Sequence, residues 1–175
     1  IIILTGLRRI GKTTIMKQII KHLLENKTKP ENIFFVSLDS FNLLDFNIHQ
    51  LIEEFRRIHK KSFSDFFYLF LDEVSSRENF EDELKSVYDN ENIKIICSSS
   101  IAALMRDKKA RLTGRTKTIE VMPLDFQEFL IFKEAAISKS DNAKLESYFR
   151  DYLKIGGVPH YVLTEDKSYL NELID

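Results

Sequence analysis

The chain has 175 residues, of which 43% are apolar and 30% are charged, and its formal net charge is -1. This is the composition of an ordinary globular chain, and it excludes a global electrostatic attraction to nucleic acid or to anionic membranes. The one cysteine, Cys97, excludes an internal disulfide and a multi-cysteine metal site. The single cysteine fits a reducing cytosol, so we expect a cytoplasmic location. No apolar run reaches the roughly 18 residues that span a bilayer, so we expect no membrane association.

The predicted elements alternate between strand and helix along the chain. Short apolar runs predict strands at residues 1–5, 33–39, 66–73, 93–100 and 118–122. Apolar residues at helical spacing predict helices at 12–26, 47–61, 77–91, 101–105, 124–136 and 144–155. Five residues of the second helix are expected to face the core: Ile48, Leu51, Ile52, Phe55 and Ile58. The alternation favours an α/β fold in which helices cover both faces of a parallel sheet.

Glycine is scarce, with only 5 residues in the whole chain. Two lie in the first loop, one is Gly114, and the last two are Gly156 and Gly157. In a chain this poor in glycine, we expect these sites to need backbone angles or close approaches that other residues cannot supply.

The first loop reads "GLRRIGKTT" and fits the pattern G-x-x-x-x-G-K-[ST], between a predicted strand and a predicted helix. In such a loop, backbone N–H groups and the helix N-terminus face phosphate oxygens. Lys12 would neutralise phosphate charge and the Thr13 hydroxyl would bind Mg²⁺. Arg8 and Arg9 have two interpretations, as phosphate contacts or as solvated loop residues. The predicted nucleotide-binding residues of this loop are Gly6, Leu7, Arg8, Arg9, Ile10, Gly11, Lys12, Thr13 and Thr14.

Two acids follow the third apolar strand, in "FFYLFLDE". Asp72 at such a strand end is expected to hold Mg²⁺, and Glu73 to orient and deprotonate the attacking water. The alternative is that both acids only end the strand. The phosphate loop favours the catalytic interpretation. A glutamate directly after the aspartate favours hydrolysis over transfer to a small acceptor.

Two further polar positions are candidates for the reaction. Ser98 lies at the polar end of the fourth strand, where its hydroxyl could hold water or a phosphate oxygen, while Ser99 or Ser100 would cap the next helix. Arg115 lies before the fifth strand, where an arginine can reach across an interface to a transferring phosphate. A solvated basic loop and a nucleic-acid patch over residues 106–117 are equally compatible with the spacing.

The order of the motifs "GLRRIGKTT", "VSLD", "LFLDEV", "KIICSSS", "LTGR", "MPLDFQEFL" and "GGVP" resembles the AAA+ ATPases of the archaeal and bacterial predicted-ATPase group. Many of those proteins carry a C-terminal domain of unknown function, and they are related to the signal-transducing STAND-type ATPases. The resemblance implies a three-layer P-loop NTPase sandwich with strand order 5-1-4-3-2. It further implies a nucleotide-binding domain over 1–137 and the beginning of a helical lid over 141–175, in a piece of a longer protein.

The same resemblance assigns roles to individual residues. Asp72 and Glu73 become the Walker B pair, Ser98 the sensor-1 residue and Arg115 an arginine finger. Gly157 and Pro159 of "GGVP" would lie near the nucleotide. The chain departs from the family in having Ser98-Ser99 where threonine and glycine are usual, and in having no tryptophan after the acids.

The expected function is Mg²⁺-dependent binding and hydrolysis of ATP, with ATP or ADP and Mg²⁺ as cofactors. The alternatives are a regulatory switch that hydrolyses its nucleotide very slowly and a DNA-associated ATPase. The sequence leaves open a homo-oligomer, and a protein or DNA partner bound through a C-terminal region absent from this chain.

Overall fold

The computed structural model describes residues 1–100, 112, 114–135 and 141–166. The predicted helix at 101–105 lies outside the described residues. The strands are β1 (Ile2–Thr5), β2 (Ile33–Ser37), β3 (Phe67–Asp72), β4 (Ile93–Ser99) and β5 (Lys117–Glu120). The helices are α1 (Lys12–Glu25), α2 (Ile48–His59), α3 (Phe80–Asn90), α4 (Phe126–Phe132), α5 (Asn142–Ile155) and α6 (Pro159–Thr164).

The strands form one parallel sheet in the order β2-β3-β4-β1-β5. This is the predicted order read from the opposite side, so the predicted fold class is confirmed. The register aligns Thr5 with Ser99, and Ser37 with Asp72. We call the side of the sheet where these strands end the carboxyl edge, and the side where they begin the amino edge. Polar residues at several strand ends therefore lie together at the carboxyl edge.

The main core lies between this sheet and the helices that pack on it. β3 contributes the buried run from Phe67 to Leu71, except for the half-buried Tyr68. From α2, the core takes Ile48, Leu51, Ile52 and Phe55. Such a fully apolar central strand is typical of a parallel sheet covered on both faces.

The prediction that Ile58 faces the core is wrong, because its side chain is 61% exposed. At about 100° per residue, Ile58 lies roughly 80° away from Ile48 around the helix axis, at the margin of the apolar stripe. Arg56, on the opposite margin of the stripe, is buried, and its guanidinium lies 2.9 Å from the Glu91 carboxylate.

The chain groups into two compact units, one formed by Ile1–Gly6 with Lys12–Glu120 and the other by Leu7–Gly11 with Val121–Asp175. In the second unit, α4 contacts α5 and α6 around the buried side chains Leu124, Phe129 and Val162. The sequence did not indicate α6. The division into domains at 1–137 and 141–175 stays a prediction. None of the helices in the described part of the chain combines the length and apolarity needed to cross a membrane.

Candidate active site

The loop after β1 uses backbone angles that favour glycine. Gly6 has a φ of 144° and Gly11 a φ of 99°, so both lie where a side chain is strained, as the scarcity of glycine indicated. Arg9 also has a positive φ, of 61°. Leu7, Arg8, Arg9 and Thr14 are exposed, whereas Ile10 is buried.

Helix α1 begins at the lysine of the loop motif. The Lys12 side chain is buried at 4% exposure, and its ammonium donates a hydrogen bond of 3.1 Å to the Gly6 carbonyl. The next residue, Thr13, donates from Oγ1 to Oδ2 of Asp72 at 2.6 Å. This bond joins the first turn of α1 to the end of β3, although the two residues are 59 positions apart.

Asp72, the last residue of β3, is 4% exposed and receives a second hydroxyl donor. Ser98 Oγ on the neighbouring strand β4 donates to Asp72 Oδ1. The same serine oxygen accepts a 3.0 Å hydrogen bond from the backbone N–H of Glu73. Ser98 is fully buried, so these contacts place its hydroxyl between the two acids and make it an anchor for both. Its sensor role stays a prediction.

Glu73 leaves the strand in the left-handed conformation, with φ 53° and ψ 51°, at the start of the 3₁₀ turn Val74–Ser76. Its half-buried carboxylate accepts from Ser100 Oγ, at 2.5 Å to one oxygen and 2.7 Å to the other. The sequence reasoning missed this role of Ser100. Side-chain alternation along the predicted strand at 93–100 could have indicated it, since residues 98 and 100 of such a strand project to the same side. The predicted helix cap by Ser99 or Ser100 concerns a helix outside the described residues.

Arg115 lies at the amino edge, away from these residues. Its side chain forms two hydrogen bonds with the Asp89 carboxylate, of 2.7 and 3.1 Å, and these bonds lower the pKa of Asp89 below its ordinary value. Its carbonyl accepts from the amino group of Ile1, just before β1 and β5 begin. A four-residue strand spans roughly 13 Å. The structure therefore does not bring Arg115 to Asp72 and Glu73 of its own chain.

In the second unit, Gly157 packs against the backbone of Leu124. A Cβ at position 157 would lie 2.2 Å from the Leu124 carbonyl oxygen, and the Leu124 N–H donates to the Gly157 carbonyl at 2.8 Å. Pro159 is the first residue of α6, where proline is favoured because its fixed φ suits a helix start. These local reasons account for both residues, and their contact with nucleotide stays a prediction.

A protein-family model described as "AAA domain" matches residues 1–130. An uncharacterized protein of Methanocaldococcus jannaschii is 28% identical over 177 residues, which cover 98% of this chain and 38% of that protein. The chain spans 38 to 41% of the length of the curated relatives that it matches.

Two solved structures share the fold. The structure of PCH-2 from C. elegans has a TM-score of 0.58 and 15% identity, covering 98% of this chain and 54% of that one. The structure of the Aeropyrum pernix ORC1 protein in complex with DNA has a TM-score of 0.52 and 12% identity, covering 85% of this chain and 43% of that one. At these identities the likeness concerns the fold alone.

Proposed function

The chain belongs to the AAA domain family, and from this premise we propose that it binds ATP or ADP and hydrolyses ATP with Mg²⁺. The observation that carries the proposal is the 2.6 Å hydrogen bond between Thr13 and Asp72. It joins the helix that follows the glycine loop to the acid at the end of β3. In P-loop NTPases, these are the two places from which protein oxygens reach the Mg²⁺ of a bound nucleotide.

The phosphates of the nucleotide would bind at the start of α1. The first turn of a helix presents N–H groups without intrahelical partners and carries a partial positive charge. The buried ammonium of Lys12 is held beside Gly6, at the beginning of the same loop. A fixed charge of this kind stabilises phosphate without first having to be ordered.

Mg²⁺ fits the donor atoms at this place. Thr13 and Asp72 offer a hydroxyl and a carboxylate, the hard oxygen ligands that Mg²⁺ prefers. Among the described residues, no group of three His, Cys, Asp or Glu side chains forms a metal site by itself. Nucleotide phosphates and water would therefore complete the shell, as is usual for Mg²⁺. When bound, the ion neutralises negative charge on the phosphates.

Glu73 is proposed to orient the attacking water and accept its proton. It directly follows the residue that would hold Mg²⁺, and its carboxylate is half-buried, so it combines proximity to the phosphates with access to water. The backbone N–H of Glu73 donates to Ser98, and this hydrogen bond holds the backbone from which the Glu73 side chain leaves β3.

Arg115 would act only on the site of a neighbouring subunit. Its position at the amino edge, and its pairing with Asp89, separate it from the acids of its own chain. A half-buried arginine at the surface could instead complete a site across an interface, as arginine fingers supplied in trans do.

The test is the release of phosphate from ATP, with and without Mg²⁺, at increasing protein concentration, beside a direct measurement of ATP binding. We expect Mg²⁺-dependent turnover. ATP binding without turnover would contradict hydrolysis and favour the regulatory switch. Turnover per chain that rises with concentration would support sites completed between subunits.

Loss of ATP binding in Lys12→Ala would support the phosphate loop, and undiminished binding would contradict it.

A further inference from the structure

We infer that Ser100 is a positioning residue that holds the Glu73 carboxylate in the orientation needed for the attack of water, an inference that rests on the proposed function of this site. Ser100 Oγ lies 2.5 and 2.7 Å from the two carboxylate oxygens of Glu73. A hydrogen bond donated to a carboxylate is strong, because its acceptor is charged. Ser100 would act on Glu73 through this hydrogen bond.

Glu73 is held at its backbone by a residue near the end of β4 and at its carboxylate by the residue that follows β4. Its backbone N–H donates to Ser98, and its carboxylate accepts from Ser100. Its backbone has the left-handed conformation that residues other than glycine rarely adopt. A long, flexible side chain that leaves a strand in this way has many rotamers. Contacts at both ends select one of them before the reaction begins.

The contact with Ser100 orients the carboxylate without consuming its capacity to accept hydrogen bonds. A carboxylate offers about four lone-pair positions, whereas a serine hydroxyl supplies one hydrogen. Lone pairs therefore remain to accept a hydrogen bond from a water molecule and then to take its proton. An arginine or lysine at position 100 would place a full positive charge on the base, and a hydroxyl does not.

Ser98, in β4, and Ser100, which directly follows β4, contact different acids. Ser98 donates to Asp72, the proposed Mg²⁺ ligand, while Ser100 donates to Glu73, the proposed base. Loss of Ser98 should therefore change the requirement for Mg²⁺. Loss of Ser100 should change the rate of the chemical step with little effect on nucleotide affinity.

The first experiment compares steady-state turnover and ATP affinity in the full chain and its variants. We expect Ser100→Ala to lower kcat about 10-fold to 100-fold, since small losses of orientation cost factors of this size, with the Kd for ATP unchanged. Ser100→Thr keeps the hydroxyl and should restore most of the rate. Ser76→Ala removes an exposed serine in the turn after Glu73 and is the matched control. A higher Kd with unchanged kcat would overturn the inference.

The second experiment combines the change with Glu73→Gln. If Ser100 acts through Glu73, then Ser100→Ala should lower turnover much less in the Glu73→Gln background than in the wild type. An equal fold-loss in both backgrounds would mean that Ser100 acts elsewhere, and would overturn the inference.

Crystal structures of the wild type, Ser100→Ala and Ser100→Thr give a readout that does not depend on hydrolysis. The Glu73 carboxylate should leave the end of β4 in the alanine variant and remain there in the other two. If it stays in place in Ser100→Ala, the inference fails whatever the kinetics show. If the wild type binds ATP and shows no turnover, the proposed hydrolysis fails, and these structures still decide whether Ser100 holds Glu73.

Discussion

The acidic residues at the two edges of the sheet have different partners. At the carboxyl edge, Asp72 accepts from the hydroxyls of Thr13 and Ser98, and Glu73 accepts from the hydroxyl of Ser100. At the amino edge, carboxylates meet guanidinium groups: Glu91 lies beside Arg56, and Asp89 beside Arg115.

A hydroxyl holds a carboxylate in place without cancelling its charge, whereas a guanidinium neutralises it. The amino edge therefore uses its acids to join elements of the fold. The carboxyl edge orients its acids and leaves their negative charge to attract a cation, as the proposed binding of Mg²⁺ requires. The same type of residue thus joins elements of the fold at one edge and, in the proposed function, serves the reaction at the other.

The largest expected effect is at the carboxyl edge, in Glu73→Gln. General bases contribute about 100-fold to 10,000-fold to rate, so turnover should fall by at least about 100-fold while ATP binding and thermal stability are retained. Phosphate release, ATP binding and a thermal melt measure the three quantities. Turnover at the wild-type rate in this variant would show that Glu73 takes no part in the reaction. It would also weaken the contrast between the two edges.

Ser98→Ala should change the metal dependence of the reaction. The substitution removes the hydroxyl that orients Asp72, and loss of such an outer partner typically costs about 10-fold to 100-fold in metal affinity. We expect the Mg²⁺ concentration for half-maximal turnover to rise about 10-fold, as a titration at saturating ATP would show. An unchanged Mg²⁺ requirement would mean that Thr13 alone suffices to orient Asp72.

Glu91→Gln tests the contact between acid and guanidinium at the amino edge. The Arg56 and Glu91 side chains are only 10% and 7% exposed, so loss of the negative charge leaves a buried guanidinium poorly compensated. We expect the free energy of unfolding to fall by about 1–3 kcal/mol, with kcat unchanged. Chemical denaturation and phosphate release provide the two readouts. A large loss of turnover at full stability would show that this edge also serves the reaction.

Arg115→Ala should have the smallest effect on an isolated chain. In dilute protein we expect unchanged turnover, because Arg115 lies at the edge remote from the acids. If wild-type turnover rises with protein concentration, the variant should lose that rise, as expected of a residue that acts in trans. A loss of turnover at the lowest concentrations would contradict this separation.

The effect of Arg115→Ala on thermal stability should depend on pH. The hydrogen bonds from Arg115 lower the pKa of Asp89 from its ordinary value of 3.8. A lowered folded-state pKa stabilises the fold above the ordinary value, and this contribution is lost as the pH falls through the lowered pKa. The small difference in melting temperature between wild type and Arg115→Ala should therefore be present at neutral pH and vanish in strong acid. Persistence of the difference in acid would exclude Asp89 as the partner.

Much of the fold was predictable because its signals are local. A run such as "FFYLFLD" indicates a buried strand, and the alternation of such runs with helical spacing indicates a parallel sheet. The phosphate-loop motif likewise needs only adjacent residues, and Gly6 and Gly11 adopt the positive φ expected of them. Local patterns fail in the last turn of α2, where the apolar Ile58 is exposed and the charged Arg56 is buried beside Glu91.

The sequence by itself determined the strands, most helices, the phosphate loop and the acids that follow β3, because periodicity and turn chemistry act over a few residues. Only the tertiary structure decided that Ser98 joins Asp72 to Glu73, that Ser100 reaches the Glu73 carboxylate, and that Arg115 lies at the opposite edge. Those contacts connect residues 25 to 27 positions apart. They form only when the order and register of the strands bring distant parts of the chain together.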